Sequence, residues 1–346
     1  MANITAAPVT PVAGAYGTQN AASGTFIPTL WSGKLNAKFY AASTFADICN
    51  RDWEGEIANI GDKVVINNIP SLTVRDYQVG ANLLYQTPNP STVELAVDRG
   101  KYFAFNVSDV LNYQAKPDLM DMFSSDAAEQ MRTTIDSTCL YRTLLSTPSQ
   151  PGLEDGVVAA NRGATAGARS GAYNLGTDTS PVALDATTET TLDLILRMSA
   201  VLDEQNVPDG NRWLVIDPAT RIRLAATRLA QAQFMGDPKS MIRNGMIGTI
   251  DRFKVYVSNQ LPYKNASASV WTSGDGTETS ISGASHGTRV RLIAAGHTAA
   301  IAFASQVNKT ETLRNPSDFG DLVRGLQIFG HKVVKGTALT VAVVSN

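Results

Sequence analysis

The sequence predicts an α+β fold, on three observations. Apolar and polar side chains alternate with period two through much of residues 61–107. Apolar residues return every three or four positions over 117–145, and from 209 onward short apolar strands and helical stretches follow one another. With 346 residues, 43% hydrophobic and 17% charged, the chain has the makeup of an ordinary globular protein and is long enough for two subdomains.

Residues 1–30 are rich in Ala, Gly, Thr and Pro without either periodicity, which describes an arm too poor in large apolar side chains to fold by itself. Its order must come from a neighbour. From Ile27 to Cys49 the residues Trp31, Leu35, Phe39 and Phe45 stand at near-helical spacing with Lys34 and Lys38 between them, the pattern of a short amphipathic helix.

Lys63 to Ile69 and Leu72 to Val79 read as strands on either side of Pro70. Val93, Leu95 and Val97 alternate with Glu94, Ala96 and Asp98, and Phe103, Phe105 and Val107 alternate with Tyr102, Ala104 and Asn106. These are half-buried strands. Gly80 to Pro90 carry the Gly, Asn and Pro of an irregular tip. The whole reads as one long β-hairpin with a turn at each end. A two-stranded ribbon projecting from its domain is at best marginally stable in water, so it needs an outside surface for its apolar face. A second copy of the chain is the most economical one.

Pro117 to Leu145 reads as one helix, with Pro117 in the first turn, Asp118 and Asp121 after it and Arg142 near the far end. Leu119, Met120, Phe123, Ala127, Met131, Ile135 and Cys139 give it one apolar face, and Pro148 ends it. Residues 151–181, mostly Gly, Ala, Ser, Asp and Thr, read as a flexible surface loop. Helical spacing returns over Leu192–Leu202 and stops at Pro208, Asp209 and Gly210. Trp213 to Ile216 is a compact strand, Thr220 to Phe234 looks helical, and Lys254 to Val257 is a further strand, which together make a mixed α/β layer.

Composition excludes several functions. A formal net charge of −2 leaves no basic excess for gripping nucleic acid through its phosphates. Cys49 and Cys139 make neither a zinc motif nor a disulfide framework, and Cys139 reads as a buried thiol. The first residues have neither the basic start nor the apolar run of a secretory signal, which suggests a cytosolic origin, and no window approaches the roughly 20 apolar residues that cross a bilayer. His286, His297 and His331 are too far apart for a local metal motif, and Asp275 in its GDG turn lacks the other ligands of a calcium loop. No phosphate-cradling Gly-rich motif occurs. Gly283 to Gly287 satisfy G-x-S-x-G around Ser285, but a polar stretch precedes the serine where a nucleophile elbow needs a buried strand, and strand-like RVRLIAA follows where it needs a helix. Neither catalytic residues, a metal site nor a cofactor site is expected.

In residues 301–334 the order Phe303, Ala304, Gln306, Glu311, Arg314, Phe319, Gly320, Val323, Gly325, Gly330 and Val333 resembles the closing segment of HK97-like major capsid proteins of tailed bacteriophages. Gly248, Ile250, Phe253, Val255, Tyr256, Asn259, Leu261 and Pro262 fit the same family's Gly-x-Ile-x-Gly-Phe run, Val-Tyr strand and Asn-x-Leu-Pro exit, with Arg252 where the second Gly is common. The resemblance implies an N-terminal arm over 1–50 and an extended hairpin, the E-loop, over 51–108. It implies a peripheral domain over 109–208 with spine helix 117–145 and flexible loop 151–181, an axial domain over 209–300, and closing strands of the peripheral domain over 301–346.

The same resemblance implies self-assembly through pentamers and hexamers into an icosahedral shell that encloses double-stranded DNA without reading its sequence. The chain would be made in the cytoplasm of a bacterial host and reside in the virion, with a scaffolding protein, a portal and a decoration protein as further partners. Some shells of this fold weld their subunits through Lys and Asn side chains. No Lys lies between Lys63 and Lys101, so the hairpin tip has no amine to offer and a non-covalent shell is expected. Candidates for contact between copies are Trp31, Arg75, Tyr85, Glu94, Arg99, Glu311, Arg314, Asp318 and Arg324. Two alternatives stand beside this reading: an encapsulin-type compartment of the same fold, and a serine hydrolase built on Ser285.

Overall fold

The computed structural model describes residues 44–53, 63–70, 72–80, 82, 84–109, 119–147, 150–151, 156–184, 190–226, 248–265, 268, 270–274, 289–316 and 319–345. Helix α1 is a single turn, Phe45–Ile48, with Phe45 and Ile48 buried. Asp136, itself 2% exposed, holds its entry by accepting from the backbone N–H of Thr44 (3.2 Å) and Phe45 (2.6 Å). The rest of the predicted helix from Ile27, with Trp31, lies outside the described residues.

Strands β1 (Lys63–Asn68) and β2 (Ser91–Ala96) pair antiparallel from Lys63↔Ala96 to Asn68↔Ser91. The predicted strand over Leu72 to Val79 does not form: its described residues run without a ladder. Pro70, Pro88 and Pro90 lack the N–H a ladder needs, and among the described residues no further strand pairs with these arms. The hairpin also ends sooner than the alternation suggests. β3 (Arg99–Ser108) leaves the ribbon after Val97 and Asp98 and joins another sheet.

Helix α2 spans Leu119–Leu144, 26 residues or about 39 Å. Burial divides it by length as much as by face: Ile135 to Tyr141 are all buried, whereas Met122 and Phe123 stay exposed. Strands β4 (Leu145–Thr147) and β5 (Gln150–Pro151) form a short pair after it.

The described part of the loop expected to be flexible over 151–181 is packed. Asn161, Ala166 and Leu175 are fully buried. Asn161 donates to the carbonyls of Thr337 (2.7 Å) and Leu339 (2.9 Å) and accepts from Gln205 (2.9 Å), so one amide ties the loop to two distant segments. Asp178 takes a hydrogen bond from the Trp271 indole (3.1 Å) and pairs with buried Lys264 at 2.6 Å. Small polar residues read as a loop, but buried polar groups with partners order the backbone as firmly as apolar packing does.

The larger sheet gathers β6 (Val182–Ala183), β7 (Arg212–Ile216), β8 (Thr249–Ile250), β9 (Phe253–Val257), β10 (Tyr263–Asn265) and β11 (Arg289–His297). With a last strand, Leu339–Ser345, the order is β6, last strand, β11, β7, β9, β8, and β10 sits on β11. Helix α3 (Thr190–Glu204) packs on this last strand, and α4 (Pro218–Ala226) connects the parallel pair β7 and β9. Both faces of β7 are covered, which suits its unbroken RWLVI run. Residues 227–234 of the predicted helix lie outside the described residues. In the turn of β8 and β9, Asp251 takes the left-handed backbone (φ +51) that a Gly commonly fills. Arg252 reaches Asp203 at 2.9 Å and Asp209 at 2.8 Å, the same carboxylates that meet buried Arg212.

Strands β12 (Ile301–Arg314) and β13 (Gly320–Val333) form a long hairpin, and β3 adds to β13 to complete the order β12-β13-β3. This sheet packs on α2, where Phe105 meets Phe123 edge to face at 6.0 Å. The last strand, β14 (Leu339–Ser345), belongs to the larger sheet, as does α3. The expected groupings of 109–208 and 301–346 therefore divide between the layers. One continuous core runs from Phe45 and α2 through both sheets to β14.

Candidate assembly surface

The ribbon has an anchored root and a bare tip. At the root, Ile66, Leu95 and Val97 pack with Ala302, Ala304 and Val334, with Trp53, Val64 and Ile328 against them. Gly330 makes that crossing possible: a Cβ there would stand 2.0 Å from the Ala96 carbonyl oxygen. Beyond the root, every described residue from Leu72 to Pro90 is exposed. Ile69 is 97% exposed, Val74 95%, Val79 92% and Tyr85 91%, with Leu72, Tyr77 and Leu84 also bare. The arms are joined by the Gln86 side chain, whose oxygen accepts from Thr73 N–H at 3.2 Å. Gly80, at φ +86, turns the tip.

Each such side chain contributes about 1.5–3 kcal/mol when fully buried, so a tip carrying seven of them is a binding surface unless something covers it. Sequence reasoning singled out Arg75 and Tyr85 here and passed over Ile69, Val74, Tyr77 and Val79. Treating Leu72 to Val79 as a strand gave them a partner they do not have.

Most of the charged candidates are engaged within one chain. Glu94 pairs with Lys63 across the ribbon at 3.3 Å, and Arg99 with Asp98 at 3.6 Å. Arg314 meets Asp109, and Asp321 at 3.3 Å. Arg324 donates to Glu311 through two nitrogens at 2.6 and 3.0 Å, and Lys309 meets the other oxygen of that carboxylate. Hydrogen bonds first from Lys309 and then from Arg324 hold the Glu311 carboxyl down to about 2. Arg75 is exposed on the tip. Trp31 and Asp318 lie outside the described residues.

The face of the three-stranded sheet turned away from α2 is a second open surface. Tyr102 (79% exposed), Leu326 and Leu313 stand on it beside the Glu311 and Arg324 pair, and exposed Phe319 lies at the hairpin end. Among the described residues no cluster of His, Cys, Asp or Glu could hold a metal ion. Nor is any described helix long and apolar enough to cross a membrane. Ser285, His286 and Asp275 lie outside the described residues. His297 accepts from Ala299 N–H through Nδ1, and the His331 ring meets Phe45 edge to face at 5.7 Å.

Solved structures place this architecture. A structure from Mycobacterium phage Che8 superposes with a TM-score of 0.66 at 24% identity, covering 93% of this chain and 97% of its own. The capsid structure of cyanophage P-SCSP1u gives 0.63 at 15% identity over 93% of each chain, and the mature capsid of bacteriophage PhiM1 gives 0.60 at 11% over 91% of each. The chain shares its fold with proteins of phage capsids. No family model matches it, and no curated protein matches it in sequence. The overall fold is thus shared at low sequence identity.

Proposed function

We propose that the chain is the major capsid protein of a tailed phage, built on the HK97 plan, and that it acts by assembling rather than by catalysis. The ribbon β1–β2 with its tip is the E-loop, α2 with the β12-β13-β3 sheet is the peripheral domain, and the larger sheet with α3 and α4 is the axial domain. Copies join through pentamers and hexamers into an icosahedral shell around double-stranded DNA, with a scaffolding protein, a portal and a decoration protein as further partners. The virion is its place of residence and the cytoplasm of a bacterial host its place of synthesis.

The bare tip carries this reading. Apolar side chains at Ile69, Val74, Val79 and Tyr85 sit at the end of a ribbon whose root is fixed, in a chain with a capsid fold. A tip of this kind gains its burial on a sister subunit, while Arg75, Glu94, Arg99, Glu311, Arg314, Asp318 and Arg324 set orientation more than affinity. Size-exclusion chromatography and electron microscopy of the purified full chain test it. Rings or closed shells are expected, with residues 69–90 cut by protease in the dissociated subunit and protected in the particle. A monomer at high concentration in which that segment already resists protease would sink the proposal.

A further inference from the structure

Two crossings between the larger sheet and the three-stranded sheet run side by side. Residues 297–301 lead from β11 through a single helical turn, Thr298–Ala300, into β12, and residues 333–339 lead from β13 through a second turn, Gly336–Ala338, into β14. The carbonyl of buried Ala300 accepts from the N–H groups of Val334 (2.8 Å) and Lys335 (3.1 Å), so the first turn holds the second. His297 in turn holds the first: its Nδ1 accepts from the N–H of Ala299 at 3.1 Å, which caps the turn. A cavity of about 200 Å³ lies beside both crossings, lined by His297, Ala299, Lys335, Thr337 and the segment 205–208.

An imidazole nitrogen that accepts a hydrogen bond must keep its lone pair, whereas the protonated ring carries a donor at both nitrogens. Protonation therefore sets N–H against N–H at the cap. The two charged side chains that bear on the ring both oppose that proton: Arg212 stands opposite His297 in the β11–β7 register, and Lys335 lines the same cavity. Asp203 and Asp209 are held by Arg212, at 2.7 and 3.4 Å, and by Arg252. Burial first, then these two cations, keep the His297 ring below its ordinary 6.5, against an opposing pull from the Gly210 backbone. We propose that His297 is a pH-sensitive latch between the two sheets: its neutral ring holds the 298–300 turn and through it the 333–339 crossing, and its protonation releases both. This goes beyond the assembly reading, because it concerns the isolated subunit and holds whether or not copies associate. Since the folded ring binds its proton less readily than a free imidazole, the latch is fully closed above about pH 6.5 and is lost as pH falls below that value.

Hydrogen exchange of dissociated full-length subunits, corrected for the intrinsic pH dependence of exchange, tests it. From about pH 7.5 to about pH 5, protection at Ala299, Val334 and Lys335 is expected to fall several-fold, while Ile293 and Ala294 in the middle of β11 stay protected. His297→Asn supplies an acceptor oxygen that does not titrate and should keep all three amides protected at both pH values. His297→Ser, a smaller acceptor, replaces it should that subunit not fold. His297→Ala has no acceptor and should lose protection at both. A parent whose protection is unchanged over this range overturns the proposal, as does full protection in His297→Ala. So does an Asn or Ser variant that keeps the parent's pH response, because the effect then belongs to another group such as His331. Particle formation, scored separately by microscopy, reports on the assembly reading alone.

Discussion

Asp217 shows how much one side chain organises. It is fully buried between β7 and α4, accepts from the N–H groups of Ala219 (3.2 Å) and Thr220 (3.3 Å), and pairs with Arg291 at 3.3 Å. Removing it leaves a helix start without its acceptor and a mostly buried guanidinium without this carboxylate. Asp217→Ala is therefore expected to destabilise the subunit by about 3 kcal/mol, read from the midpoint of denaturant unfolding. Glu311 offers a contrast at the surface. Its carboxyl is depressed from 4.5 to about 2, so whatever stability it gives is present above pH 4.5 and lost as pH falls through about 2. The group is fully exposed, and the effect on folding is small. The titration itself is the better readout: carbon NMR should place Glu311 near 2, and Lys309→Ala should move it back toward 4.5. A midpoint unmoved by that change would remove Lys309 as the main cause.

At the scale of elements, the root of the ribbon depends on Gly330. A methyl group there meets backbone, the Ala96 carbonyl, so the strand crossing has to shift rather than a side chain rotate. Gly330→Ala should cost about 2 kcal/mol or more and swing the ribbon off β13, seen as loss of hydrogen-exchange protection at Leu95 to Val97. Protection equal to the parent's would contradict the crossing. This glycine also marks what the sequence could reveal. Period two was legible over β2 and β3 and period 3.6 over α2 and α3, because each buries an ordered side-chain pattern. The exit of β3 to pair with β13 was not legible: alternation reports that a strand has a buried face but not which strand lies beside it. The packed loop 156–184 was hidden for another reason. Its order comes from single polar residues, Asn161 and Asp178, whose partners lie far along the chain. Among the assembly candidates, charge drew attention to Glu94 and Arg314, which have partners in their own chain, and away from Val74 and Val79, which are bare.

For the whole molecule, the same contrast separates folding from assembly. Val74 and Tyr85 lie beyond the anchored root and are almost fully exposed, so Val74→Asp with Tyr85→Asp should leave subunit stability within about 0.5 kcal/mol of the parent. It should nevertheless abolish particles, since each change removes apolar burial of about 1.5–3 kcal/mol and every copy in a closed shell repeats the loss. Glu94→Ala with Arg314→Ala should do the reverse. Losing three exposed intrachain pairs, Glu94 with Lys63 and Arg314 with Asp109 and Asp321, should yield a slightly weaker subunit that still forms particles in only modestly reduced number. These particles should also come apart fully in denaturing electrophoresis, because the ribbon between Lys63 and Lys101 holds no amine to form an isopeptide bond. Microscopy and gel together discriminate. A charge-substituted pair that assembles while the tip variant does not places the holding energy in apolar contact, and a ladder of covalent multimers would show that the shell is held by chemistry elsewhere in the chain.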